Sequence, residues 1–253
     1  MNNESLDIGR AIIGGTGLYQ IEGLVELDRR RIETPWGEPS SDLIVAELSG
    51  KKVIFLTRHG LQHSIPPHKV NYRANLWALK ESGVKDIIAV AAVGGISEAM
   101  LPETLVVPDQ IIDYTYGRKH TYFEENLQSV THIDFTEPYS EGIRQQLALS
   151  AKNLGLDMKL GGVYAATQGP RLETAAEIQR LKRDGADIVG MTGMPEAALA
   201  RELGINYACC ALVVNWAAGC AGTTSIEHNE MQLIVDKGMV KVKELLIDSL
   251  KAI

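Results

Sequence analysis

The chain carries several short stretches whose side chains can bind an anion or a polar ring. Arg58-His59-Gly60 follows the apolar run 52–56. A guanidinium beside an imidazole can grip an inorganic phosphate dianion in fork geometry, although an arginine there can equally be solvated. Gly14-Gly15-Thr16-Gly17-Leu18 follows another apolar run. Glycines in such a loop let backbone amides approach an anion, and Thr16 adds a hydroxyl; a tight structural turn accounts for the same residues. Gln20 stands where a dinucleotide fingerprint needs its last glycine, and no Gly-Lys-Ser/Thr triplet supports a P-loop. His59, His63, His68 and Asn71 are close in sequence. No carboxylate or thiolate stands at ligand spacing, and Pro66-Pro67 breaks any helix that would align them, so no metal site is expected.

A second group of residues is polar without being cationic. Gly169-Pro170 ends an apolar run in a turn that projects Leu172 and Glu173, after which Thr174 starts a helix with Glu177 at the capping-box position. A glutamate at a helix start also suits the helix dipole. Asn215 closes the run 207–214, where a buried polar side chain needs partners and an exposed one serves as a strand-end cap. Met191 ends a further run, a place where core methionines are common, and Thr192 follows it.

The elements that must position these residues are legible as unalternated apolar runs at 10–13, 52–56, 86–91, 160–166, 186–189 and 207–214. Such runs suit strands buried on both faces. Helical patterns lie between them at 74–82, 140–154, 174–184 and 195–203, with a terminal one from about 226 to 250. Gly83, Gly155, Gly185 and Gly204 follow the first four helices where a left-handed residue is favoured. Strand-helix alternation predicts an α/β fold: one domain over 1–253 with a mixed, mainly parallel central sheet flanked by helices, its connections right-handed. Ligands then gather at the carboxyl ends of the strands, where the candidate residues fall.

Composition narrows the function classes. The 253 residues carry a net charge of −7 with scattered Lys and Arg, which argues against nucleic acid as a partner, because affinity for a phosphate backbone needs clustered cations. The first residues lack the basic and apolar regions of a secretory signal, and no run approaches the roughly 20 apolar residues that span a bilayer. Cys209, Cys210 and Cys220 are odd in number and clustered, which favours a reducing compartment over a disulfide framework. A cytoplasmic protein without a membrane partner is expected.

The segments Gly169 to Thr174, Met191-Thr192-Gly193-Met194-Pro195-Glu196 and Asn215, in that order, resemble the trimeric purine nucleoside phosphorylase and methylthioadenosine phosphorylase family over nearly the whole chain. The resemblance implies phosphorolysis of a purine nucleoside in a homotrimer, with inorganic phosphate as co-substrate and no metal or organic cofactor. It implies a phosphate site made of Thr16, Arg58, His59 and Thr192 with a backbone donor at Val93, while Ala92 replaces a threonine common in the methylthioadenosine enzymes. Leu172 and Glu173 would contact the base, Leu172 replacing an aromatic residue, and Met191 would lie under the ribose.

Asn215, the residue implied as catalytic, occupies the position that carries Asp in enzymes for 6-aminopurines and Asn in those for 6-oxopurines. An amide NH2 can donate to O6 and N7, whereas a carboxylate accepts from a 6-amino group. Ala217 replaces a second Asp of the aminopurine enzymes. At the 5′ end His228 resembles a residue that binds a free hydroxyl, Ile226 favours a methylthio group, and His132 matches a histidine supplied by a neighbouring subunit. Segments 58–63, 71–77 and 169–171 look like the methylthioadenosine branch, so the combined expectation is a 5′-methylthio 6-oxopurine nucleoside as substrate. A methylthioadenosine phosphorylase or a general inosine/guanosine phosphorylase are the alternatives within the family. A nucleotide-binding oxidoreductase using Gly14 to Gly17 and a noncatalytic nucleoside-binding module are the alternatives outside it.

Overall fold

The computed structural model describes residues 8–15, 23–125 and 127–251, and its organising element is strand β5 (Asp86–Gly95). β11 (Asn206–Trp216) runs parallel along one edge of β5, from Asn206 opposite Asp86 to Trp216 opposite Gly95. On the other edge β1 (Arg10–Gly14) pairs only as far as Ile13 opposite Ala89. β10 (Ile188–Gly190) then takes over, antiparallel, at Gly94 and Gly95. Residues 90–93 thus have no strand neighbour on that edge, and the sheet is open there.

The remaining strands extend outward from this axis. β4 (Lys51–Thr57) borders β1, followed by β3 (Leu43–Leu48) and the edge strand β2 (Leu24–Arg30). Beyond β10 lie β9 (Val163–Ala166) and β7 (Gln110–Asp113), while β6 (Leu105–Val107) and β8 (Met158–Leu160) continue from β11. Six strand pairings are parallel and four antiparallel, which is the mixed, mainly parallel sheet expected.

Unbroken apolar runs form these strands because both faces are covered. Along β11, Tyr207, Cys209, Ala211 and Val213 enter the core under α1 (Tyr72–Glu81) and α4 (Gly193–Glu202). The alternate residues Ala208, Cys210, Leu212 and Val214 enter the core under α2 (Glu141–Leu154) and α5 (His228–Lys251). α3 (Ala175–Arg183) covers a third, smaller cluster. Strict alternation sends successive side chains to opposite faces, so a strand buried on both must be apolar throughout.

The helix stops fall where expected, with Gly83, Gly155, Gly185 and Gly204 all at positive φ. The run 160–166 is not one strand: Gly161 and Gly162, at φ of 114° and 118°, separate β8 from β9. β2 escaped the reading because its residues are exposed and charged, as suits a sheet edge that must not recruit another strand. Among the described residues no helix is long and apolar enough to cross a membrane.

Candidate active site

The open edge of β5 meets the carboxyl ends of β1 and β4, and Arg58 is placed there by the chain itself. Its backbone N–H donates to Gly14 O at 3.0 Å, continuing the β1–β4 ladder by one step. The side chain then reaches across to β5, where Nη1 donates to Val90 O at 3.0 Å. Nε and Nη2 both donate to the Glu196 carboxylate at 2.7 Å, and the Tyr207 hydroxyl adds a 2.9 Å bond to it. Arg58 is 2% exposed and Glu196 fully buried. Burial alone would lower the arginine pKa, but contact with Glu196 outweighs it and holds the guanidinium above its ordinary value. A bidentate, fully bonded pair is the form in which two buried charges are tolerated.

His59 is neutral. Burial and then the Arg58 charge push its pKa down to about 4. Nδ1 lies 2.8 Å from Ile65 O, and a carbonyl can only accept, so Nδ1 carries the proton and Nε2 presents a lone pair. His59 and His63 rings lie 4.8 Å apart. Among the described residues no three His, Cys, Asp or Glu side chains are grouped as a metal site.

Strand alternation corrects one expectation. The Val90 carbonyl and the Ile96 N–H both act on the open edge, the latter donating to Asp187 O at 2.8 Å. Residue 92 shares their parity, so Ala92 presents its N–H and C=O to the opening, whereas Val93 directs its own toward β11. Val93 is also buried, while Ala92 is the one exposed residue of β5. The N–H that faces the opening is therefore that of Ala92 rather than that of Val93.

The second half of the site lies at the ends of β9 and β10. Thr192 is buried at the N-cap of α4, and its N–H lies 3.4 Å from the Tyr164 hydroxyl. Gly190 is required next to it, since a Cβ there would overlap that hydroxyl. The Thr167 hydroxyl donates to Glu173 at 2.6 Å, which fixes the carboxylate at the start of α3. α3 itself has the expected capping box, Thr174 with Glu177. Asn215 sits at a bulge of β11 opposite Gly94, and its Nδ2 donates to Trp216 O at 2.6 Å. Because that partner only accepts, the amide orientation is set, leaving one N–H and Oδ1 for a ligand.

Sequence reasoning missed two residues. Glu196 was visible in Met194-Pro195-Glu196 as a carboxylate in an apolar helix start, the mark of a buried charge seeking a partner. Arg118, in the coil after β7, had no such signal. It is buried and joins β9 to β10: Nη1 donates to Met191 O at 2.8 Å and Met194 O at 2.6 Å, Nη2 to Thr167 O at 3.1 Å and Gln168 O at 2.8 Å.

Other expected residues are dispersed. Leu172 is exposed, Ile226 half-buried in the coil before α5, and His132 exposed in the coil before α2. Met191 packs its side chain against Gly169, where a Cβ would overlap its sulfur. Thr16 lies outside the described residues, as does the side chain of His228. A separate cleft of about 520 Å³ between α3 and segment 216–221 holds none of the candidate residues.

A sheet opened beside a buried arginine, with an amide at the end of β11 and a carboxylate beyond the end of β9, suits an α/β enzyme that binds a small anionic and polar ligand at its strand ends. The chain belongs to the Phosphorylase superfamily, whose profile matches residues 10–251. It is 54% identical over 242 residues, 96% of this chain and 98% of the relative, to a probable S-methyl-5'-thioinosine phosphorylase of Pseudomonas syringae pv. tomato. It is 44% identical over 248 residues to a 6-oxopurine nucleoside phosphorylase of Pyrococcus furiosus, covering 96% of this chain and 92% of that one. Among solved structures it superposes on methylthioadenosine phosphorylase from Schistosoma mansoni in complex with adenine, with a TM-score of 0.91 and 32% identity over 96% of this chain and 91% of that one.

Proposed function

We propose that this pentosyltransferase catalyses phosphorolysis of S-methyl-5′-thioinosine to hypoxanthine and 5-methylthioribose 1-phosphate. The observation that carries the reading is Asn215: its amide is held by Trp216 O with one N–H still to give, a donor suited to the O6 or N7 of a 6-oxopurine. The names of the relatives agree with that choice of base. Phosphate attacks C1′ as the glycosidic bond breaks through an oxocarbenium-like state, and no covalent enzyme intermediate is needed. Arg58, the Ala92 backbone N–H, Thr192 and Thr16 position the nucleophile. Neutral His59 accepts from a phosphate hydroxyl. Asn215 donates to the purine as electrons flow into its ring, Glu173 accepts from the base N1–H, and the proton given up by phosphate on forming the ester passes to the departing base, which leaves as neutral hypoxanthine. Met191 lies under the ribose and Leu172 against the base.

The reaction uses inorganic phosphate as co-substrate and no metal or organic cofactor. The 5′-methylthio group is enclosed by Ile226 and by His132 of a neighbouring copy in a cytoplasmic homotrimer. Support for the shared site comes from the exposure of His132, Val130 and Leu127 in one coil, which leaves apolar surface for a second chain to cover. Base release from the methylthio and hydroxyl nucleosides, with and without phosphate, tests the assignment. Preference for inosine would move the reading to a general 6-oxopurine phosphorylase.

A further inference from the structure

Among the described residues the buried arginines are Arg58, Arg118 and Arg144, and two of them meet a carboxylate. Arg58 forks onto Glu196 and Arg144 pairs with Glu141. Arg118 has no such partner. Its five N–H groups face six oxygens: the four carbonyls described above, Tyr72 Oη at 3.2 Å and Gln168 Oε1 at 3.2 Å. These satisfy its hydrogen bonds without cancelling its charge. A buried cation left uncompensated is costly, and such a group persists where something else supplies the opposite charge.

The charges around the proposed phosphate site make the need specific. The Arg58–Glu196 pair is net neutral, and His59 is uncharged. A dianion entering beside them meets directed N–H groups but no net positive charge. Arg118 borders the turn that carries Thr192: its Nη1 donates to the Tyr72 hydroxyl at 3.2 Å, and its guanidinium lies 5.5 Å from the Tyr72 ring centroid. It also grips the carbonyls on either side of Thr192 and Gly193, those of Met191 and Met194. Thr167 bridges Arg118 and the Glu173 carboxylate, its carbonyl accepting from Nη2 and its hydroxyl donating to Glu173, so no direct bond joins the two charges.

We propose that Arg118 supplies the net positive charge that holds the phosphate co-substrate, acting as a positioning residue through the Met191–Met194 turn. This rests on the phosphorolysis reading above. Arg58 then aims the anion and Arg118 attracts it.

Gln168→Glu tests the proposal without deleting an atom of the scaffold. Gln168 Oε1 already accepts from Arg118 Nε and from the Tyr116 N–H, so the isosteric carboxylate keeps both bonds and neutralises the arginine. The phosphate KM should rise about tenfold, with an unchanged or higher thermal midpoint and a nucleoside KM within about twofold at saturating phosphate. An unchanged phosphate KM overturns the role of Arg118. Should the midpoint fall as well, Arg118→Lys and Arg118→Gln decide. The lysine variant, which keeps the charge, must show a phosphate KM at least about fivefold below that of the glutamine variant, and equal values overturn the proposal. Wild-type base release that ignores phosphate would instead overturn phosphorolysis itself.

Discussion

The proposed phosphate end and the proposed nucleoside end of the site are built on opposite plans. At the phosphate end Arg58, Glu196 and Tyr207 are buried and bonded to one another before any ligand arrives. At the nucleoside end Asn215 and Glu173 are half-exposed, bonded to Trp216 O and to the Thr167 hydroxyl respectively, and Leu172 and His132 are exposed. The contrast follows from the ligands. Every substrate of such an enzyme shares one small symmetric anion, for which a rigid site suffices. Base and 5′ substituent are what distinguish substrates, and those contacts are left on strand ends and coils that can change without unsettling the core.

If that contrast is right, damage at the phosphate end should appear first as lost stability. Arg58→Met leaves Glu196 charged and unpaired in the core, which typically costs about 3 to 5 kcal/mol of folding free energy, along with a large rise in phosphate KM. Urea denaturation and phosphate titration measure the two effects, and a variant as stable as the wild type would break the comparison. At the nucleoside end the expected loss is catalytic instead. Asn215→Ala should lower kcat/KM by about 10²- to 10³-fold with little change in unfolding midpoint. Asn215→Asp should shift the kcat/KM ratio toward 6-aminopurine nucleosides, and an unmoved ratio would remove Asn215 from base selection.

Acid should separate the two ends as well. His59 has a folded pKa near 4, below its unfolded value of about 6.5, so the unfolded chain binds more protons between these limits. Stability therefore falls as pH drops through that window, by about 1 to 2 kcal/mol between pH 7 and pH 5 from this residue. Comparing urea midpoints of wild type and His59→Gln isolates the contribution, and identical slopes against pH would show that His59 is not held neutral. The smallest effect is expected for Thr167→Val, which removes the hydroxyl from Glu173 and should raise nucleoside KM by a few-fold, about 1 kcal/mol, leaving phosphate KM alone.

Local features were legible in the sequence and distant pairings were not. The Thr174–Glu177 capping box and the four glycine stops depend on neighbours within a turn, so residue order alone reveals them. The central strands were readable because burial on both faces demands unbroken apolar runs. Arg58 was legible as a residue type, but its partner lies 138 positions away on α4. Which N–H faces the opening, that of Ala92 or that of Val93, turns on strand parity, which only the pairing of β5 with its neighbours determines. Arg118 lies in a coil with no periodicity or motif, and its importance arises from carbonyls contributed by two separate strand ends.

The most direct test of the account is phosphate-dependent release of free base from equimolar methylthioinosine, methylthioadenosine and inosine. The account predicts release only when phosphate is present, fastest from methylthioinosine, because Asn215 selects the oxo base and the 5′ pocket the methylthio group. Faster release from methylthioadenosine, or equal release without phosphate, would contradict it.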